Sequence, residues 1–174
     1  MDLKKLKDGC EFGLLNTMTE LNLELYSLLI KRKLSIWNAE ILLGKENHEL
    51  VDLFDYGLFK HSIKSFSIKQ SGIIKKLYSN INSSFEEWEY LLKTVTLDDD
   101  ITYRIKLCNT RLHHLLNEKK WSYSFNELGL FLGIDSRCLT ALKESKILIE
   151  DFSLVQEKMI AELYKPFMVS CYDL

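Results

Sequence analysis

With 174 residues, 47% of them apolar, and a single proline, the chain can bury a core and is too apolar for general disorder; it fits one domain or two small ones. Its net charge of −2 argues against a non-specific nucleic-acid binder, which needs a basic surface to displace counterions from phosphate. No run of about eighteen apolar residues is present to cross a bilayer, and the first residues lack the apolar stretch of a secretory signal.

The four cysteines, Cys10, Cys108, Cys138 and Cys171, form no CxxC pair, which fits a reducing compartment better than a disulfide framework or a zinc site. A cytoplasmic protein without a membrane partner is the expectation.

In chain order, apolar residues from Leu6 to Leu29 recur at helical spacing, with Gly9 and Gly13 expected to interrupt the first turns and Thr17 with Glu20 to restart the helix. A short helix is expected over 35–43, with Trp37, Ile41 and Leu42 inward and Gly44 as its stop. A further helix over 47–59 carries Leu50, Leu53, Phe54 and Leu58 on one face. The alternating stretch 61–68 has no partner strand in the sequence and reads as a connector.

Helical spacing returns over 69–81. Ser83 and Ser84, followed by Glu86 and Glu87, announce a capping box for a helix to about residue 95, with Phe85, Trp88, Leu91 and Leu92 as its buried stripe. Three consecutive carboxylates, Asp98, Asp99 and Asp100, cannot pack in a core but suit a helix N-terminus. A division into 1–97 and 98–174 is therefore expected there. The run 101–119 is amphipathic. The last helix should start at Ser153, capped with Gln156, and end before Pro166. No internal repeat is read from the sequence.

The stretch 124–146, SFNELGLFLGIDSRCLTALKESK, carries the most specific spacing. Ser124 and Glu127 form a capping box, Gly129 supplies a position without bulk where two helices approach, and Gly133 permits the positive φ of a tight turn. Asp135 or Ser136 caps the next helix, and Leu128, Leu132, Ile134, Leu139 and Leu142 fall on the inward side.

This pattern resembles the helix-turn-helix motif of DNA-binding regulators over about 20 residues. The resemblance implies a reading helix over about 136–145, with Ser136, Arg137 and Thr140 toward DNA and Lys143 and Lys146 at the flank. Lys119 and Lys120, beside Trp121, would add backbone contacts. Residues 101–149 hold eight Lys and Arg against four Asp and Glu, through Arg104, Lys106, Arg111, Lys119, Lys120, Arg137, Lys143 and Lys146, so the basic excess coincides with the motif.

His48 with Asp52, and His114 with Glu118, share helix faces at i,i+4 but belong to no longer ligand set, so no metal is expected. Glycine-rich phosphate loops, GxSxG and a nucleophilic cysteine context are missing, and neither catalysis nor a cofactor is expected. Trp37, Trp88 and Trp121 read as core anchors. The expected architecture is all-α, a multi-helix bundle with a C-terminal helix-turn-helix-like tri-helical unit. The expected function is a DNA-binding transcription regulator acting as a homodimer, the alternative being a non-catalytic helical adaptor or chaperone-like module for another protein.

Overall fold

A computed structural model of the chain describes residues 2–57, 61–95, 98–118 and 123–172, with side chains through Met168. The described residues are all-helical: α1 (Leu3–Gly13), α2 (Leu15–Ile30), α3 (Ile36–Leu43), α4 (Asn47–Tyr56), α5 (Ile68–Ser79), α6 (Phe85–Thr94), α7 (Asp99–Asn117), α8 (Phe125–Leu132), α9 (Ser136–Lys143) and α10 (Leu154–Tyr172). Two compact units result, Leu15–Ile101 and a second made of Met1–Leu14 with Thr102–Leu174. The division thus falls in the first turn of α7, one residue past the last of the three carboxylates, and α1 belongs with the C-terminal unit.

In the N-terminal unit α2 supplies the central buried line, Leu21, Leu25, Leu28 and Leu29, against Ile68, Ile74 and Leu77 of α5 and Leu50 and Leu53 of α4. Asn22 is buried beside them and holds the connector between α4 and α5. Its amide nitrogen donates to the carbonyls of Met18 and Ile63 at 2.9 Å, and its oxygen accepts from the Ile63 N–H at 2.7 Å. Trp88 of α6 is buried, its indole N–H donating to the Lys33 carbonyl at 2.7 Å.

The C-terminal unit repeats this construction. Cys108, Leu112, Leu115 and Leu116 of α7 stand at the spacing of Leu21, Leu25, Leu28 and Leu29 and are likewise buried. Asn109 follows Cys108 as Asn22 follows Leu21, and its side chain makes the same three bonds, to the Ile105 carbonyl and to both main-chain groups of Ile149.

Next comes a serine-capped helix ending in a left-handed glycine, Ser35 to Gly44 in one unit and Ser124 to Gly133 in the other. Last, Ser67 and Gln70 form a capping box whose Gln70 amide also donates to the Leu43 carbonyl at 2.6 Å; Ser153 and Gln156 do the same toward Leu132 at 2.6 Å. Phe66 and Phe152, immediately before the two boxes, are both buried. The reading of a chain without internal repeats is therefore corrected: one module of four helices is built twice.

Several expected faces also change. Trp37 is 69% exposed and Ile41 is exposed with it, because α3 buries Ala39 and Leu43. Two residues along a helix turn the side chain by about 200°, so Trp37 and Ile41 face away from that contact. Phe85, expected inward, is 76% exposed at the first position of α6, whose buried residue is Trp88. Pro166 does not end the last helix, which continues to Tyr172. Proline forfeits one main-chain bond there, and the turn beyond it is held by Phe167, whose ring lies 5.5 Å from His114 and 5.9 Å from Tyr164. The helix α2 begins at Leu15, ahead of the expected restart at Thr17.

Glu24 on α2 is the buried carboxylate of the N-terminal unit. One oxygen lies 3.4 Å from the Lys75 ammonium and the other has no hydrogen-bond partner among the described residues. Burial, opposed in part by Lys75, raises its pKa, so the group favours the folded state most where it is protonated and loses that contribution as the pH rises through its folded value. Glu24→Gln is expected to exceed the parent in stability at about pH 7, with the gap closing by about pH 3.5, where both folded and unfolded carboxyls carry their proton. Urea midpoints at the two pH values check this; a gap that widened toward acid would contradict it.

Candidate nucleic-acid interface

The pair α8 and α9 is punctuated by its own side chains. Ser124 Oγ accepts from the Glu127 N–H at 3.1 Å, and the Glu127 carboxylate accepts from the Ser124 N–H at 2.9 Å. Gly133 takes φ +68° at the end of α8, and Asp135 accepts from the Arg137 N–H at 2.7 Å to start α9. Leu128, Leu132, Leu139 and Leu142 are buried and Ile134 is half-buried, as expected for the inward side.

The close approach falls at Gly129. A Cβ there would lie 2.6 Å from the Ile134 carbonyl oxygen and 3.5 Å from a Leu139 methyl group. No real Cβ makes the first of these distances, so the spacing requires the glycine. The matching position of the N-terminal unit is Glu40, which shows that the tight approach is a property of this pair and not of the repeated module.

The expected reading residues divide into three groups. Arg137, at the second position of α9, is exposed, and its guanidinium has no partner among the described residues. Lys143 is exposed too, its ammonium 5.2 Å from the Phe125 ring, which steers it toward the start of α8 without neutralising it. These two remain open to an anionic ligand.

Thr140 is internally engaged: its hydroxyl donates to the main-chain carbonyl of Ser136 at 2.9 Å, one turn back, and keeps its lone pairs as acceptors, while Ser136, half-buried at the first position of α9, takes part through that carbonyl. Lys146 lies past the end of α9, where its ammonium is 2.8 Å from the Glu144 carboxylate. Each group of that exposed pair holds the other in its charged form, raising the lysine and lowering the glutamate. Lys119 and Lys120, with Trp121, lie outside the described residues.

The basic excess of 101–149 is smaller at the surface than in the sequence. Arg104 is held by both carboxylate oxygens of Glu157, at 2.7 and 2.6 Å, a bidentate pair between α7 and α10. Arg111 also turns to α10, its guanidinium 5.5 Å from the Tyr164 ring and 3.8 Å from the Met168 sulfur. Sequence reasoning counted both as part of the positive surface because charge is legible residue by residue, whereas pairing across two helices is not.

Of the metal-ligand pairs, His114 lies 3.8 Å from Glu118 but its other nitrogen meets the Tyr164 hydroxyl at 2.9 Å, and His48 meets Glu46 at 3.1 Å. No group of three or more potential ligands gathers among the described residues. Burial pushes the Cys108 thiol up to about 12, a core thiol suited to packing. Among the described residues no helix is long and apolar enough to cross a membrane. Compared with family models, with curated proteins and with solved structures, the chain has no match.

Proposed function

We propose that this chain is a DNA-binding regulator whose reading element is α9, held on α8 by the contact at Gly129. The observation that carries the reading is the conjunction of that side-chain-free approach with an unpartnered guanidinium, Arg137, at the start of the second helix. A helix entering the major groove presents its N-terminal residues to base edges, and a guanidinium there can pair bidentately with guanine or phosphate. Lys143 would lie toward the backbone. Thr140 offers acceptor lone pairs one turn along.

The N-terminal unit offers no equivalent. At the position of Arg137 it has His48, and α4 carries Glu49, Asp52 and Asp55, a surface that phosphate would repel. The reading residues are thus confined to the C-terminal unit. A non-catalytic helical adaptor is the second reading, favoured by the exposed apolar pair Trp37 and Ile41 on α3.

Binding of the purified protein to mixed-sequence and selected duplexes at about 50 and about 200 mM salt separates the two. The regulator reading expects affinity that falls steeply with salt. Arg137→Ala should weaken binding about tenfold and reduce the slope of log affinity against log salt by about 1 if the contact is to phosphate. A parent that binds no duplex at low salt would leave the adaptor reading in place.

A further inference from the structure

After α9 the chain runs without helix through 146–150, Lys-Ile-Leu-Ile-Glu, along an open apolar groove of about 770 Å³ walled by Ile105, Thr110 and His113 of α7. Asn109 grips this segment by donating to the Ile149 carbonyl and accepting from the Ile149 N–H, both at 2.8 Å. One amide reaches both groups of a single residue only when they point the same way, as in β backbone. The main-chain groups of neighbouring Leu148 then point to the opposite edge, where neither has a partner among the described residues.

The side chains on this edge are unusual for an unpaired segment. Leu148 is 75% exposed, and Ile147 is exposed beside it. The module itself does not ask for apolar residues here. In the N-terminal unit, where Asn22 grips Ile63 in the same manner, the corresponding two positions are His61 and Ser62. An extended apolar edge with open main-chain groups is a template for another strand.

We propose that the segment 146–150 is a self-association strand, pairing antiparallel with the same segment of a second copy of this chain about a two-fold axis at Leu148. The charges favour this occupant. Centring the antiparallel register on Leu148 sets Ile147 against Ile149 and, at both ends, Lys146 of one copy against Glu150 of the other, so the sequence is complementary to itself. Hydrogen bonds form at Leu148 and from the Glu150 N–H to the facing Lys146 carbonyl, while Ile149, opposite a non-bonded position, keeps its grip on Asn109.

Directly opposed side chains share a face, so the two Leu148 side chains meet and cover the apolar walls beside them. The Lys146 ammonium exchanges its exposed contact with Glu144 for the new one.

Sedimentation of the full chain without DNA, over a concentration series reaching about 100 μM, tests this independently of any nucleic-acid affinity. The parent should pass from monomer to dimer. Leu148→Glu, at an exposed position that leaves the core untouched, should raise the dimer dissociation constant at least about tenfold with an unchanged circular dichroism spectrum. Lys146→Glu and Glu150→Lys should each dissociate the dimer, and an equimolar mixture of the two variants should restore it as a heterodimer. A parent that stays monomeric across the series, a Leu148→Glu variant that dimerises like the parent, or charge variants that fail to complement would each overturn the proposal.

Discussion

Asn22→Leu is expected to destabilise the unit Leu15–Ile101 by about 3 kcal/mol, and Asn109→Leu its own unit by about 2 kcal/mol. Leucine keeps the number and branching of the side-chain heavy atoms, so the change removes the hydrogen bonds without opening a cavity, although its methyl groups are bulkier than the amide and add some overpacking. In each case the N–H and C=O of one residue, Ile63 or Ile149, lose their side-chain partner. Leaving a buried main-chain group unsatisfied costs about 1–3 kcal/mol, whereas a group that water can reach costs less. Ile63 is buried and Ile149 half-buried, which sets the order of the two effects.

Urea unfolding gives the size. Amide exchange gives the place: protection at Ile63 should fall in Asn22→Leu and be unaltered in Asn109→Leu, with the reverse at Ile149. Equal loss at both amides in either variant would mean that the asparagines do not act as local clamps.

Gly129→Ala should cost about 2 kcal/mol, although alanine is the better helix former by about 1 kcal/mol. The added methyl group would stand 2.6 Å from the Ile134 carbonyl oxygen, a main-chain atom that no rotamer change can move aside. Separating α8 from the turn is the remaining response, and overpacking of that kind costs about 1–3 kcal/mol and can exceed it where backbone must shift. Gly9→Ala is the control: nothing lies within 4 Å of its Cβ position in α1, so helix propensity alone should act and the protein should gain about 0.5–1 kcal/mol. If urea midpoints rise in both variants, the approach at Gly129 is not tight and the geometry offered for DNA reading loses its support.

The helices themselves were legible in the sequence, because capping and periodicity are local. Ser84 with Glu87, Ser124 with Glu127 and Ser153 with Gln156 mark the starts of α6, α8 and α10 as read. The inward leucines of α8 and α9 also followed from spacing alone. The repeat was legible too and was missed. The pattern Phe-Ser-x-x-Gln-x-x-x-Ile-x-x-Leu-Tyr occurs at 66–78 and again at 152–164, and Leu-Asn-x-x-Leu at 21–25 answers Cys-Asn-x-x-Leu at 108–112. Its two occurrences are diluted by connectors of different length, and a search for fixed-period identity passes over them.

Sequence by itself determined an all-α protein, the capping boxes that begin α6, α8 and α10, and the glycine-turn pair on which the DNA-reading proposal stands, since each depends on residues within a few positions of one another. Tertiary structure alone decided which polar and charged groups remain available. Arg104 and Glu157 are 53 residues apart in the chain and meet as a bidentate pair; Asn22 reaches Ile63 across 41 residues and Asn109 reaches Ile149 across 40; Trp37 lies outside because α3 packs on Ala39. These outcomes depend on which faces of distant helices come together, and no local spacing encodes that.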